Sequence, residues 1–580
     1  MNIVNRNEAL LKGETGWQYF SKPHDIIAVT DLKDVSGALN EIERQVEEHG
    51  WHAAGFLSYE AASAFDPVLR THGGAGFPYL WFGLYSPPQP VSFPNPETEN
   101  VPLRWQPNVD RTAHNAAIDR IRDSIAQGKT YQVNYTLRLQ ADFDASEWEV
   151  FLHLARSQNR YAAYIDTGRY VICSASPELF FELNGETIIS RPMKGTIQRG
   201  RTTQEDRAQA ARLQASEKNR AENVMIVDMI RNDLGRIARP GSVHVPELFH
   251  VERYPSLWQM TSTVAARTAA SLAGIFGALF PCASITGAPK VSTMNIIHEL
   301  ETSPRRIYTG TIGCFAPGRT ARFNVAIRTM LIDRQEKKAE YGTGGGIVWD
   351  STSTEEYDEA LLKARVLTDS PPHFSLLETM LWTPETGFFL LDRHLGRLLD
   401  SADYFDFNAS KDSILEKLDQ AASSWSGPRR VRLVVSQEGD IEISSVPFTP
   451  QEKPLLVSLA DKPVDSNNVF LFHKTTSREV YENARAGSLP CDDVLLYNER
   501  GELTEFTIGN LVVELDGHWI TPPIECGLLA GTFRAHLIET GQIIERIVPI
   551  HRLMQCTKIY RVNSVRKWEV VDIQEYNSIE

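Results

Sequence analysis

The chain has 580 residues, 42% of them apolar and 23% charged, with a formal net charge of −15. That is room for two to four domains with sizeable cores, and the acidic balance argues against nucleic acid or an anionic membrane as the main partner. Six cysteines without CxxC spacing indicate neither a zinc site nor a disulfide framework, so reduced thiols in a cytoplasmic protein are expected.

In chain order, the first residues lack a continuous apolar run and do not read as a signal peptide. "FPYLWFGLY" (Phe77 to Tyr85) reads as a strand, and the proline-rich run Ser86 to Pro102 as a long exposed loop within the first domain. "RPMKGT" (Arg191 to Thr196) reads as a tight turn between two strands. Lys194 in it is a phosphate grip, a solvated loop charge or a nucleophile. A phosphate loop needs GxxxxGK[ST], and the Lys-Gly-Thr order does not supply it. The helix that follows, "SEKNRAENVMIVDMIRNDLG", is read with Val224, Val227, Ile230 and Leu234 on its apolar side and Glu222 at the edge of that stripe. The uncharged run Thr268 to Gly287 contains Pro281 and many small residues, which predicts a buried helix plus a loop rather than a membrane span.

Arg328 is the only charge in "FNVAIRTMLI", read as an apolar strand, and suits a bidentate grip on a carboxylate. Gly344, Gly345 and Gly346 follow a strand and can turn backbone N–H groups toward an anion. In "STEEYDEALLKA", Glu356, Glu359 and Lys363 share one helix face. Glu222 and Glu356 offer a hard cation such as magnesium two carboxylates from separate elements, if the fold brings the two helices together.

"LTDSPPHFS" (Leu367 to Ser375) is the expected domain junction, giving an α+β domain over 1–366 and a smaller α/β domain over 374–580. In the second domain Lys474 is placed after an apolar strand and before a helix. Glu505 points into a core and needs a cationic or protonated partner, which a pyridinium nitrogen would be. Asn510 precedes a strand, and Gly531-Thr532 opens a helix suited to a phosphate.

Taken together, "YQVNYT", "SPELFF", "RPMKGT", "AENVMIVDMIRNDLGR", "FPCASITGAPK", "YTGTIG", "NVAIRTM", "GTGGGI" and "EEYDEALLKA" resemble, in this order, the chorismate-utilising enzymes, from about Ile118 to Ala364. That family includes anthranilate, aminodeoxychorismate, isochorismate and salicylate synthases. The resemblance implies an α/β sandwich of two antiparallel sheets with helices outside. It implies that Glu222 and Glu356 ligate magnesium, with Glu359 supporting it through water. Tyr308, Arg328, the Gly344 to Gly346 amides and Lys363 would hold the anionic groups of chorismate, with Thr286 lining the site. Glu178 resembles the general acid that protonates the departing hydroxyl of carbon 4, which requires a raised pKa.

Gln132 stands where water-using members carry a lysine base, which implies ammonia as the nucleophile. Lys194 resembles the lysine of the aminodeoxychorismate branch, where anthranilate synthases have a small residue. There the amine attacks carbon 2 and expels the carbon 4 hydroxyl, and ammonia then attacks carbon 4 and expels the lysine. Such an amine must be partly deprotonated, as desolvation allows. Two positions depart from the pattern. Asn219 replaces an acidic residue of the metal helix. Gln259 replaces a histidine tied to pyruvate elimination, which is compatible with stopping at the aminated intermediate.

The second half, about Phe374 to Val571, resembles the class IV pyridoxal-phosphate enzymes, which include branched-chain and D-amino-acid aminotransferases and aminodeoxychorismate lyase. By that resemblance Arg397 and Thr532 bind the cofactor phosphate, Lys474 carries pyridoxal phosphate covalently, and Glu505, with Asn510 beside it, meets the pyridine nitrogen. A homodimer is implied too. The shared motifs leave a true amino-acid transaminase open. The fusion favours a lyase that takes the first domain's product to 4-aminobenzoate and pyruvate. No cysteine sits in a Gly-x-Cys-x-Gly elbow, so ammonia is expected from a separate glutaminase subunit or from free ammonium.

Overall fold

The computed structural model describes residues 4–74, 76–93, 103–157, 160–367, 372–450, 453–487 and 491–574. The chain forms two compact units, one of Met1–Gln198 with Ala210–Pro371, the other of Arg199–Gln209 with Pro372–Glu580. The excursion Arg199–Gln209 groups with the C-terminal residues rather than with its own flanks. Arg199 lies 4.2 Å over the Tyr404 ring and donates to the Tyr404 carbonyl at 2.9 Å, and Thr203 donates to Asp400 at 2.8 Å.

Among the described residues, the first unit holds two ten-stranded sheets. Strand alternation builds its layers. In Tyr161–Asp166, Ala163 and Ile165 enter a core shared with Phe56, Trp81 and Ile312 of the other sheet. Ala162 and Tyr164 face the opposite way and pack with Trp148 and Phe151 of the helix Glu147–Ser157. The outer face of the second sheet is covered by helices that include Val35–His49, Glu217–Gly235 and Leu272–Leu279. Each fully buried Leu, Ile or Phe in these layers contributes about 1.5–3 kcal/mol.

Several expectations are corrected. Val224 is 39% exposed; the helix buries Asn223, Ile226, Val227, Ile230 and Leu234 instead. Val224 follows Asn223 by one residue and so lies about 100° round the helix from that stripe. Lys194 is not in a turn but in the strand Met193–Gln198. Arg328 is not inside a strand: it stands between Thr320–Val325 and Thr329–Asp333 with φ 51°. Gly344, Gly345 and Gly346 lie within the strand Lys338–Ile347, in register with Thr136, Tyr135 and Asn134. In Ser86 to Pro102, Gln89–Val91 is an edge strand beside Trp17–Phe20, and residues 94–102 lie outside the described residues. The uncharged run near Pro281 is, as expected, a buried helix followed by a short 3-10 turn. Among the described residues no helix is long and apolar enough to cross a membrane.

Among the described residues, the second unit has a four-stranded sheet, including Leu376–Thr383, Arg429–Val435 and Ile441–Pro447, covered by the helices Leu391–Phe405 and Lys411–Ala422, and an eight-stranded one. Its eight-stranded sheet is mixed: Leu455–Leu459 runs parallel to both Asp493–Tyr497 and Lys567–Ile573. The apolar run before Lys474 is a 3-10 turn, Val469–Leu471, not the expected strand.

Candidate active sites

In the first unit a strand irregularity presents Lys194. Met193 pairs with Thr261 and Thr196 with Gln259, so three steps on one strand face two on the other. The extra residue makes a bulge, and Gly195 takes a φ of 99° that other residues adopt at a cost. The Lys194 amine stands 3.6 Å from Glu222 Oε2, a carboxylate delivered by the helix Glu217–Gly235. The three glycines explain what surrounds it. A Cβ on Gly346 would lie 2.6 Å from Gln132 Nε2 and 2.9 Å from Lys194 Nζ, and one on Gly345 would lie 2.9 Å from Glu356 Oε2. With glycine at both positions lysine, amide and carboxylate approach together; a Cβ there would push their tips aside. Pairing with Thr329–Asp333 ends at Tyr341, so among the described residues that edge of the glycine segment has no strand neighbour.

Glu178 is 4% exposed and accepts a 2.7 Å hydrogen bond from the Ser284 hydroxyl. Burial pushes its carboxyl up to about 7, against the opposing pull of Ser284, a backbone bond to Met193 and the charge of Lys194. Burial also raises Glu356, which accepts from Ser351 at 2.6 Å. At Glu359 burial opposes the charge, but Lys363 at 2.8 Å, then Lys194 and Lys218, hold the carboxyl below its usual range. Lys363 also donates to the Gly344 carbonyl at 3.0 Å.

Gln132 is fully buried, and among the described residues neither atom of its amide has a hydrogen-bond partner. Burial lowers the Arg328 pKa, and among the described residues no carboxylate pairs with it. Burial raises Tyr308 to about 12, and its ring packs where a Gly342 side chain would stand. The Thr286 hydroxyl donates back to the Cys282 carbonyl at 3.2 Å and so closes its own loop. Among the described residues Tyr308, Arg328 and Thr286 make no hydrogen bond or ion pair to Lys194; the Thr286 loop is tied to the Gln132 strand, since Gly287 pairs with Val133.

Sequence reading missed the frame beneath these groups. Buried Glu301 accepts from Arg305 at 2.6 Å and from Arg138 at 3.0 Å. Arg305 in turn donates to the Ile285 and Asn134 carbonyls at 3.1 and 2.8 Å, tying the Thr286 loop to the Gln132 strand. The pairing of Ser284 with Glu178 spans 106 positions and leaves no local signal in the sequence.

Among the described residues no three His, Cys, Asp or Glu side chains form a ready metal cage. Glu222 faces Lys194, and Glu356 feels the charge of the same lysine. Magnesium binds through one or two carboxylates, completing its octahedron with waters and substrate oxygens. The donor set therefore fits such an ion.

In the second unit a cavity of about 390 Å³ is lined by Lys474, Glu505, Asn510, Thr532, Arg397 and Tyr481 among others. Burial lowers Lys474 to about 8, helped by the charge of Arg397. Glu505, 3% exposed, is pushed up to about 7 by burial. It accepts from the Tyr481 hydroxyl at 2.8 Å, the Leu529 amide at 3.2 Å and the Asn510 side chain at 3.2 Å. A Cβ on Gly531 would stand 1.8 Å from Asn510 Oδ1, so only glycine fits there. Thr532 begins the helix Thr532–Glu539, with its hydroxyl 3.3 Å from His394 Nε2. Arg397 grips Glu378 with two bonds, 2.8 and 2.7 Å, and also donates to the Ala530 carbonyl at 3.2 Å. Burial works against the Glu378 charge, yet Arg397 and His394 hold that carboxyl down at about 2.

These residues fit pyridoxal phosphate. They offer an amine of lowered pKa, a carboxyl that awaits a cation, and a helix N-terminus with a hydroxyl. Glu378, His394 and Tyr481 were not expected as parts of this site. Arg430 and Arg432, on one face of Arg429–Val435, also line the cavity, and among the described residues no carboxylate pairs with either.

The family described as chorismate binding enzyme matches residues 7–369, and that described as amino-transferase class IV matches residues 375–574. Aminodeoxychorismate synthase component 1 of Salmonella typhimurium is 41% identical over 262 residues, 45% of this chain and 57% of that protein. Aminodeoxychorismate synthase of Streptomyces griseus is 36% identical over 334 residues, 57% of this chain and 43% of that protein. The chain thus spans about half the length of these curated relatives. Anthranilate synthase component I from Streptococcus pneumoniae shares the fold, with 24% identity and a TM-score of 0.52 over 63% of this chain and 91% of its own. With its paired sheets, glycine-lined lysine recess and family match over most of its length, the chain belongs to the chorismate binding enzyme family, and a class IV aminotransferase fold follows in its C-terminal part.

Proposed function

We propose that the chain converts chorismate and ammonia to 4-amino-4-deoxychorismate in the domain over 1–366, then removes pyruvate in the domain over 374–580 to leave 4-aminobenzoate. The observation that carries the first half is the Lys194 amine, held on a bulge against Glu222 and the Gly346 backbone, with buried Glu178 feeling its charge. The neutral Lys194 amine bonds to carbon 2 as the carbon 4–oxygen bond breaks, and protonated Glu178 lets the hydroxyl leave as water. Ammonia then bonds to carbon 4, the carbon 2–nitrogen bond breaks and the Lys194 amine is restored. The new ammonium group returns one proton to Glu178. Gln132, whose amide has no hydrogen-bond partner among the described residues, would face the incoming ammonia.

Glu222 and Glu356 would hold magnesium, with Glu359 behind them, and the ion would neutralise the ring carboxylate. Arg328, Lys363, Tyr308, Thr286 and the Gly344 to Gly346 backbone would orient the substrate. Ammonia would come from a separate glutaminase subunit, as the name component 1 of the Salmonella relative supports, or from free ammonium.

Pyridoxal phosphate, when bound, supplies the electron sink for the second step. Lys474 would carry it and move the proton at carbon 4, Glu505 and Asn510 would meet its ring nitrogen, and Arg397 and Thr532 its phosphate. Arg430 and Arg432, which line the cavity with no carboxylate partner among the described residues, favour a dicarboxylate substrate, which 4-amino-4-deoxychorismate is, over a neutral amino acid. Free cysteines, six in all, suit the cytoplasm.

Lys194→Ala is expected to abolish formation of the aminated intermediate, and Lys474→Ala to lose the visible absorbance of bound cofactor. An unchanged rate in the first variant, or an unchanged spectrum in the second, contradicts the role assigned. Pyruvate release, measured against amino transfer to a keto acid, separates a lyase from a transaminase.

A further inference from the structure

Gln259 was singled out in the sequence only as a departure, and the proposed chemistry gives it nothing to do. The structure places it behind the nucleophile. It lies 8% exposed on the strand Leu257–Arg267, opposite the Lys194 bulge. Its side-chain nitrogen donates to the Gly195 carbonyl at 2.8 Å, and its side-chain oxygen accepts from the Thr196 hydroxyl at 3.0 Å. The two residues after Lys194 are therefore fixed by one amide that uses both its donor and its acceptor.

The other side of the bulge is held from the helix Glu217–Gly235. Asn223 donates to the Lys194 carbonyl at 3.3 Å, and its own oxygen accepts from the Ser262 hydroxyl at 2.6 Å. Asn219 closes the third side, with its Cβ 3.0 Å from where a Gly195 side chain would begin. A bulge leaves backbone groups outside the sheet ladder, and buried ones need other partners. Here those partners are Gln259 and Asn223.

We propose that Gln259 is a positioning residue for Lys194. It pins the Lys194–Thr196 bulge so that the amine stays aimed at the Gly346 backbone instead of swinging with the Gly195 hinge. This rests on Lys194 being the nucleophile. Only a residue with a donor and an acceptor on one short fork serves both contacts. Gln259→Leu loses both bonds. Gln259→Glu keeps the acceptor for Thr196 and sets a carboxylate oxygen against the Gly195 carbonyl. Misplacing a reacting atom by about 1 Å costs on the order of 100-fold in rate.

The test uses the purified full chain with chorismate, magnesium and ammonium, comparing wild type, Gln259→Leu, Gln259→Glu and Lys194→Ala. For Gln259→Leu, kcat is expected to fall about 30- to 100-fold with the chorismate KM within about 2-fold. Gln259→Glu is expected to fall between it and wild type. A second readout is acetylation of lysines followed by mass spectrometry, with and without saturating chorismate. In wild type chorismate should protect Lys194 and Lys363. In Gln259→Leu protection should disappear at Lys194 and persist at Lys363. A wild-type kcat in Gln259→Leu, or equal loss of protection at both lysines, overturns the proposal, the second by showing a general structural defect. A wild-type rate in Lys194→Ala instead overturns the nucleophile itself, whatever Gln259 does.

Discussion

At Glu178 and Lys474 burial brings the pKa toward neutrality from opposite sides. Glu178 is raised to about 7, so its acid form is abundant below that pH and is lost as pH rises through it. The first reaction should therefore lose rate on that limb. Ser284 donates to the carboxylate and opposes the rise, so Ser284→Ala should move the limb to higher pH. One net hydrogen bond is worth about 0.5–1.5 kcal/mol, which is about half a unit to one unit. A pH profile of kcat/KM checks this, and a limb that stays put or moves down contradicts the assignment. Lys474 has the opposite sign. Burial lowers it to about 8, and the neutral amine that captures an aldehyde gains population as pH rises through that value. Reconstitution of apoenzyme with pyridoxal phosphate, followed by absorbance, should accelerate between about pH 7 and 9. A rate that falls over this range counts against Lys474 as the capturing amine.

At the scale of elements, the glycine strand and the bulge decide what the first site holds. Gly346→Ala would set a methyl group 2.6 Å from Gln132 Nε2 and 2.9 Å from Lys194 Nζ. The first reaction should drop more than about tenfold while the fold survives, since a displaced nucleophile costs rate first. Wild-type turnover in this variant would show that the amine does not work from that side. Beneath the strand, Glu301 pairs with two buried guanidinium groups, those of Arg138 and Arg305. Glu301→Gln should destabilise the first unit by about 3–5 kcal/mol, the cost of breaking a buried ion pair from one side. A denaturant midpoint equal to that of wild type would contradict this account of the frame.

Elements also show what sequence can and cannot reveal. The helix carrying Glu356, Glu359 and Lys363 was legible because helical spacing is local, and so was Gly531-Thr532 at a helix start. The seat of Lys194 was not legible. A proline, a lysine and a glycine in sequence suggest a turn, and only pairing with Gln259 and Thr261, more than 60 residues on, makes the segment a bulged strand. Gly344 to Gly346 misled in the same way. At Gly345 and Gly346 the side chains of Glu356, Gln132 and Lys194 stand where a Cβ would be, and at Gly344 the neighbouring strand at Tyr135 and Thr136 does, a tertiary cause that mimics a loop signal. Val224 failed for a simpler reason, since the polar Asn223 occupies the buried stripe by bonding Lys194 and Ser262.

For the whole molecule, the two units carry complementary chemistry on one chain. The first offers the Lys194 amine beside Glu222, the buried Glu178 carboxyl and the Glu356 and Glu359 carboxylates. The second offers an amine of lowered pKa, a buried carboxyl and two arginines, Arg430 and Arg432, with no carboxylate partner among the described residues. If the product of one is the substrate of the other, a single incubation reveals it. The most direct measurement is a product analysis of the full chain with chorismate, magnesium, ammonium and pyridoxal phosphate, separating aromatic products and measuring pyruvate. The account predicts 4-aminobenzoate and pyruvate in equal amounts, with Lys474→Ala stopping at 4-amino-4-deoxychorismate. Anthranilate in place of 4-aminobenzoate would contradict the role given to Lys194, and with it the central claim.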